Sequence, residues 1–136
     1  MKKIIALSVL LLSMVVYIKS QNVVTPSQHL PKKDFENIWS EKIYSDSLVS
    51  SVFIWVKRAV ALHKHVQHSE HVYILEGSAD MKIGEDNYSV VPGDLVLIPV
   101  NTVHSLTVTS HEPLKAISIQ APEFLGKDRE YIKESP

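Results

Sequence analysis

His63 and His65 stand two residues apart, Glu70 follows after the short turn Gln67-His68-Ser69, and His104 lies far downstream, just past Pro99-Val100-Asn101-Thr102. Imidazole nitrogens and a carboxylate oxygen are donors that a divalent transition metal accepts. On a β-strand, residues i and i+2 project from one face, so His63 and His65 can offer two nitrogens to a single ion. An antiparallel return after the turn can bring the Glu70 carboxylate beside that pair, and His104, at the start of another strand, can complete the set by sheet pairing. Taken singly, each residue has a plainer reading. A lone His-x-His is more often a pair of solvated or hydrogen-bonded imidazoles, and a glutamate at a strand start is ordinary surface. The chain has no cysteine, which excludes disulfides, thiolate metal sites, a cysteine nucleophile and a lipid-modified cysteine. Any metal must be held by nitrogen and oxygen.

The elements that position these residues read as strands. Stretches rich in valine, isoleucine and aromatics fall near Ile43-Tyr44, Val49–Val56, Ala61–Val66, Glu70–Leu75, Ala79–Ile83, Tyr88–Val91, Asp94–Ile98, Val103–Val108 and Leu114–Gln120. Gly84-Glu85-Asp86-Asn87 and Pro92-Gly93-Asp94 are turn material between them, because proline presets one central dihedral and glycine accepts a positive φ at the next. Many short strands with close turns predict an all-β sandwich or barrel. Only Asp34–Glu41 and the tail after Pro122 offer room for a helix. The 136 residues allow one such domain, with a processing or anchoring segment over 1–20, an extended arm over 21–42, the barrel over 43–121 and a tail over 122–136. Formal net charge is −1 with both signs interleaved, so no basic face exists to neutralise phosphates, and nucleic acid is not expected as a partner.

Taken together, the four donors resemble the cupin superfamily. Its first motif has the form G-x5-H-x-H-x3or4-E-x6-G and its second G-x5-P-x-G-x2-H-x3-N. This chain supplies His63, His65, Glu70 and Gly77 at the spacing of the first, and Gly93, Pro99 and His104 at the spacing of the second. Three positions depart from the pattern: Lys57 and Asn101 replace glycines, and Val108 replaces the closing asparagine. Asparagine tolerates the left-handed conformation better than other residues with a side chain, so Asn101 is the mildest departure. The resemblance implies a single-domain double-stranded β-helix, or jelly-roll, with His63, His65, Glu70 and His104 as metal ligands. It also implies a range of activities, from oxygenases, isomerases, decarboxylases and lyases to non-catalytic binders, among which fold alone does not choose.

Three imidazoles and one carboxylate on a six-coordinate ion leave two positions open, the mark of a reactive rather than a purely structural metal. Zn or Cu is the expected ion, with Mn, Fe and Ni also compatible. Val72 and Ile74 share the phase of Glu70, and Leu106 and Val108 that of His104, so the wall beside the metal is expected to be aliphatic. No second acid or base stands out to move protons. Two readings follow: a metal-dependent oxygenase or isomerase of a small organic molecule, or a non-catalytic module that binds metal and a small ligand. His68 reads as a solvated loop residue, His71 as facing away from the site, and His29 and His111 as plain surface. Phe53, Trp39 and Trp55 read as core or subunit contact, and the apolar run Val52–Val56 as a strand that pairs across an edge or packs between subunits of a homodimer.

The N-terminus begins Met1-Lys2-Lys3 and continues with an apolar run from Ile4 to Ile18. This pattern predicts a bacterial-type signal peptide, and hence a periplasmic or secreted domain. A cut after Ser20 puts Ile18 rather than a small residue three positions back, so an uncleaved membrane anchor and a buried helix stand as alternatives.

Overall fold

The computed structural model of the protein describes residues 22–133. The expected signal or anchor segment over 1–20 lies outside the described residues. Among the described residues, no helix is long and apolar enough to cross a membrane.

Ten strands dominate: β1 (Ile38–Ser45), β2 (Ser50–Val56), β3 (Ala59–His65), β4 (Ser69–Glu76), β5 (Ala79–Ile83), β6 (Asp86–Val90), β7 (Leu95–Ile98), β8 (His104–Val108), β9 (Leu114–Ala121) and β10 (Arg129–Tyr131). They form two five-stranded sheets, ordered β1-β2-β9-β4-β7 and β10-β3-β8-β5-β6, with antiparallel pairing throughout. From β2 onward the chain changes sheet at every connection except the β5–β6 hairpin, the winding of a jelly-roll barrel. The all-β expectation holds, and most strand ends fall within two residues of those read from the sequence.

Strand alternation builds the core. Val72, Ile74, Val96, Ile98, Leu114 and Ala116 of the first sheet meet Ala79, Met81, Val90 and Leu106 of the second. Each large aliphatic side chain taken fully from water contributes about 1.5–3 kcal/mol. Positive φ bears on the packing and the motif at Gly77 and Asn101 in particular. Gly77 has φ 76°, and a Cβ there would lie 2.8 Å from Leu114 Cα. Asn101 adopts φ 62° where the family motif has glycine, as its side chain permits.

Three expectations are corrected. Asp34–Glu41 is not helical: the chain enters β1 at Ile38, because its backbone pairs with β2 through Ile38↔Val56, Trp39↔Trp55 and Glu41↔Phe53. The tail is not helical either; Arg129–Tyr131 adds to the exposed edge of β3. Val52–Val56 is no edge strand, since β2 lies between β1 and β9. Its outward side chains Phe53 and Trp55 are buried, with His29 of the N-terminal arm against Phe53. Lys115 Nζ, itself buried, ties that arm down by donating to Pro26 O at 2.7 Å and His29 O at 2.8 Å. His29 is therefore half-buried rather than plain surface, its ring centroid 4.8 Å from that of Phe53.

Candidate metal centre

The register of β3 against β8 jumps from Val60↔Leu106 to His63↔His104, so Ala61 and Leu62 face the single residue Ser105. Such a bulge twists the strand and re-aims the side chains beyond it. His63 and His65 thereby project from the inner face beside His104. Their ring centroids are 4.1 Å apart for His63–His104, 5.0 Å for His63–His65 and 5.3 Å for His65–His104. One nitrogen from each of the three lies within 4.8 Å of the others. Glu70 arrives from β4 of the opposite sheet, with Oε2 3.5 Å from both His65 Nε2 and His104 Nε2. All four side chains are buried. The residues singled out in the sequence are thus brought together.

The neighbours of each donor decide what it can offer. His63 Nδ1 donates to Ala61 O at 2.7 Å and His104 Nδ1 to Thr102 O at 2.9 Å, because a carbonyl can only accept. Each ring then keeps an Nε2 lone pair for the centre. Glu70 Oε1 accepts from Ser118 Oγ at 2.5 Å and Gln120 Nε2 at 3.3 Å, which leaves Oε2 to face the imidazoles. His65 Nε2 and His104 Nε2 are buried without a hydrogen-bond partner. Buried polar atoms left so cost about 1–3 kcal/mol each. A divalent ion at this point would satisfy them, so the residues fit a metal.

Electrostatics favours the ligating forms. Burial pushes the His63 imidazole down to about 4; the neighbouring His104 adds to this and the Ala61 carbonyl opposes it. Burial alone would push the Glu70 carboxyl up. Contacts with His104, His65 and Ser118 outweigh it and hold the group well below the usual carboxylate range. At neutral pH His63 is therefore neutral and Glu70 ionised, as metal binding requires.

Three of the four donors, His63, Glu70 and His104, line a cavity of about 80 Å³ between the sheets. His63, Glu70, His104, Ser105 and Arg129 are its polar lining, and the rest is apolar, including Val72 and Leu106. Ile74 and Val108, expected on this wall, pack in the core instead. The exposed Arg129 brings the one cation of the described lining.

His71 and His111 are exposed, as expected. His68 is not the solvated loop residue expected: it is 2% exposed, with Nδ1 2.7 Å from Asp128 Oδ2. Burial lowers its pKa, with His65 adding to the effect and Asp128 opposing it. Sequence reasoning also missed Ser118, Gln120, Asp128 and Arg129. For the first two a signal existed, since Leu114, Ala116, Ser118 and Gln120 share one strand phase and the last two put polar groups inside. For Asp128 and Arg129 none did, because a three-residue strand after a proline-broken tail carries no periodicity.

A family model described as Cupin domain matches residues 52–120. The chain is 38% identical over 72 residues to mannose-1-phosphate guanylyltransferase RfbM of Salmonella typhimurium, a match covering 53% of this chain and 15% of that protein. It is 41% identical over 49 residues to quercetin 2,3-dioxygenase of Bacillus subtilis, covering 36% of this chain and 14% of that one. The chain thus spans only about a seventh of the length of either relative. A Klebsiella pneumoniae protein with a double-stranded β-helix domain has a similar solved structure, with TM-score 0.71 at 14% identity, covering 85% of this chain and all of that one. At that identity the likeness is one of fold alone.

Proposed function

The chain belongs to the cupin domain family, and from that premise we propose that it holds one divalent transition-metal ion on His63, His65, Glu70 and His104 and acts on a small organic molecule as a metal-dependent oxygenase or isomerase. The observation that carries this reading is the convergence of two unpartnered imidazole nitrogens and one carboxylate oxygen beside a largely apolar cavity. When bound, such an ion supplies Lewis acidity and a template for a ligand oxygen. The protein's own share is positional. Ala61 O and Thr102 O fix two imidazoles, Ser118 and Gln120 fix the carboxylate, and the aliphatic wall excludes water from the ligand's body. Nitrogen and oxygen donors bind Cu and Zn more tightly than earlier divalent metals, so we read the ion as Zn or Cu. Mainly iron in protein purified anaerobically from its native compartment would overturn that identity. The local likeness to a quercetin dioxygenase supports oxygen chemistry only as one option.

A second reading, a non-catalytic binder of metal and small ligand, is favoured by one observation. Beyond His63, Glu70 and His104, the cavity offers only Ser105 and Arg129 as polar groups, and no further acid or base among the described residues. Turnover and oxygen consumption by the metal-loaded protein, measured across a panel that pairs carboxylates with their neutral esters, discriminates the two. Product formation is expected. Tight binding without turnover across the panel would replace the enzyme reading with the binder. We also propose export through the N-terminal segment; native protein that starts near Gln21 would support cleavage, and native protein that starts at Met1 in the soluble cytoplasmic fraction would refute export.

A further inference from the structure

Each imidazole of the centre needs an oxygen behind its Nδ1 if Nε2 is to face the ion. His63 has Ala61 O and His104 has Thr102 O. His65 has no backbone carbonyl there. Asp128 Oδ1 lies 3.8 Å away, and both atoms are buried with no hydrogen-bond partner. We infer that Asp128, beside His68, is the positioning residue for His65, so that the segment leading into β10 forms part of the metal centre. This rests on the metal reading above.

The surroundings hold Asp128 in place. Arg129↔His65 and Tyr131↔His63 lay β10 along the ligand strand. Val66 N donates to Asp128 O at 3.1 Å, and Gln67 N donates to Asp128 Oδ2 at 3.2 Å. His68 Nδ1 lies 2.7 Å from the same Oδ2, which turns Oδ1 toward His65. The His68 ring lies against that of His65, centroids 4.1 Å apart and planes 31° from parallel. Phe124 covers both rings at 5.8 Å and 5.2 Å. His65 is thus flanked by His68, Phe124 and Asp128, all from outside its own strand.

The three residues His65, His68 and Asp128 also have the makings of a second metal site. The 2.7 Å contact between His68 and Asp128 argues against it. Two ligand atoms about 2.0–2.2 Å from one ion sit roughly 2.9–3.5 Å apart at the usual coordination angles. This pair is closer than that.

The test is a Zn(II) titration of the full chain against a competing chelator, with the Co(II) visible spectrum as a second readout. Wild type should bind one equivalent. Asp128→Asn should still bind one, about 10–100-fold more weakly and with an altered Co(II) spectrum, as loss of an outer-shell partner typically brings. His68→Gln should show a smaller loss, and Asp128→Glu, which keeps the carboxylate, should recover most of the affinity. Thermal midpoints of the metal-free variants separate loosening of the tail, which leaves the affinity of folded protein unchanged, from a positioning role. An unchanged affinity and spectrum in folded Asp128→Asn would overturn the inference and leave the metal centre standing. Two equivalents in wild type and one in Asp128→Asn would replace it with a second metal site. No metal uptake by wild type would sink the metal reading itself.

Discussion

Acid should weaken the metal-free protein well above the pH at which carboxylates titrate, and His63 should be the main cause. Its imidazole pKa is 6.5 in an unfolded chain and about 4 in the folded one, chiefly through burial. At 1.36 kcal/mol per pH unit, that difference amounts to about 3 kcal/mol. Because the folded value is the lower one, the unfolded chain takes up the proton first as pH falls. Stability is complete above 6.5, declines between 6.5 and about 4, and is fully reduced below that. At pH 5 the loss is about 2 kcal/mol. Glu70, held below its ordinary value, adds a further loss only as pH falls below 4.5 toward its folded value. Urea denaturation of chelator-treated protein at pH 7 and pH 5 measures the drop, and His63→Asn, which keeps a polar side chain without the titration, should lose most of it. An equal drop in wild type and His63→Asn would refute the reasoning.

Further outcomes follow from other parts of the fold. Gly77→Ala should destabilise by about 1–3 kcal/mol or more in thermal or chemical unfolding, because φ 76° and a Cβ 2.8 Å from the Leu114 backbone both oppose it; a neutral result would mean that β4 and β9 can part there. Lys115→Met should release the arm, seen as new proteolytic cleavage near Pro26–His29 and a loss of about 2 kcal/mol, since two carbonyls lose their donor. Unchanged protection would show that the arm is held by the Phe53 and Trp55 face instead. For the homodimer, which we keep as a proposal, the face to test is the outer one of β9, β4 and β7, where Tyr73, Leu95, Leu97 and Ile119 are exposed. Sedimentation should give a dimer for wild type and a monomer for Leu97→Glu, and a variant that sediments like wild type would exclude this face.

The parts of the site that the sequence made legible are those governed by local rules. The two-residue spacing of His63 and His65 sets a shared face on any strand, but the antiparallel return expected for Glu70 does not occur: β4 lies in the opposite sheet and brings the carboxylate across the barrel interior. His104 needed more than a local rule, since its pairing with His63 joins residues far apart in the chain. The family spacing supplied what periodicity could not. Asp34–Glu41 misled because its local composition tolerates a helix, whereas the open edge of β2 decided the outcome. His68 misled for a related reason: a turn histidine is solvated unless something covers it, and its cover, Phe124 and Asp128, arrives from a segment with no readable pattern. The outer support of the centre was hidden for the same cause. It is built by Phe124 and Asp128, in the segment ahead of β10, whose three residues are a strand only because β3 offers them a partner.

The central claim is that four side chains from three strands hold one ion. Metal analysis of purified wild type beside His63→Ala and His104→Ala tests it most directly. About one equivalent of transition metal per wild-type chain, and little in either folded variant, is the predicted result; equal metal content in all three would contradict the site.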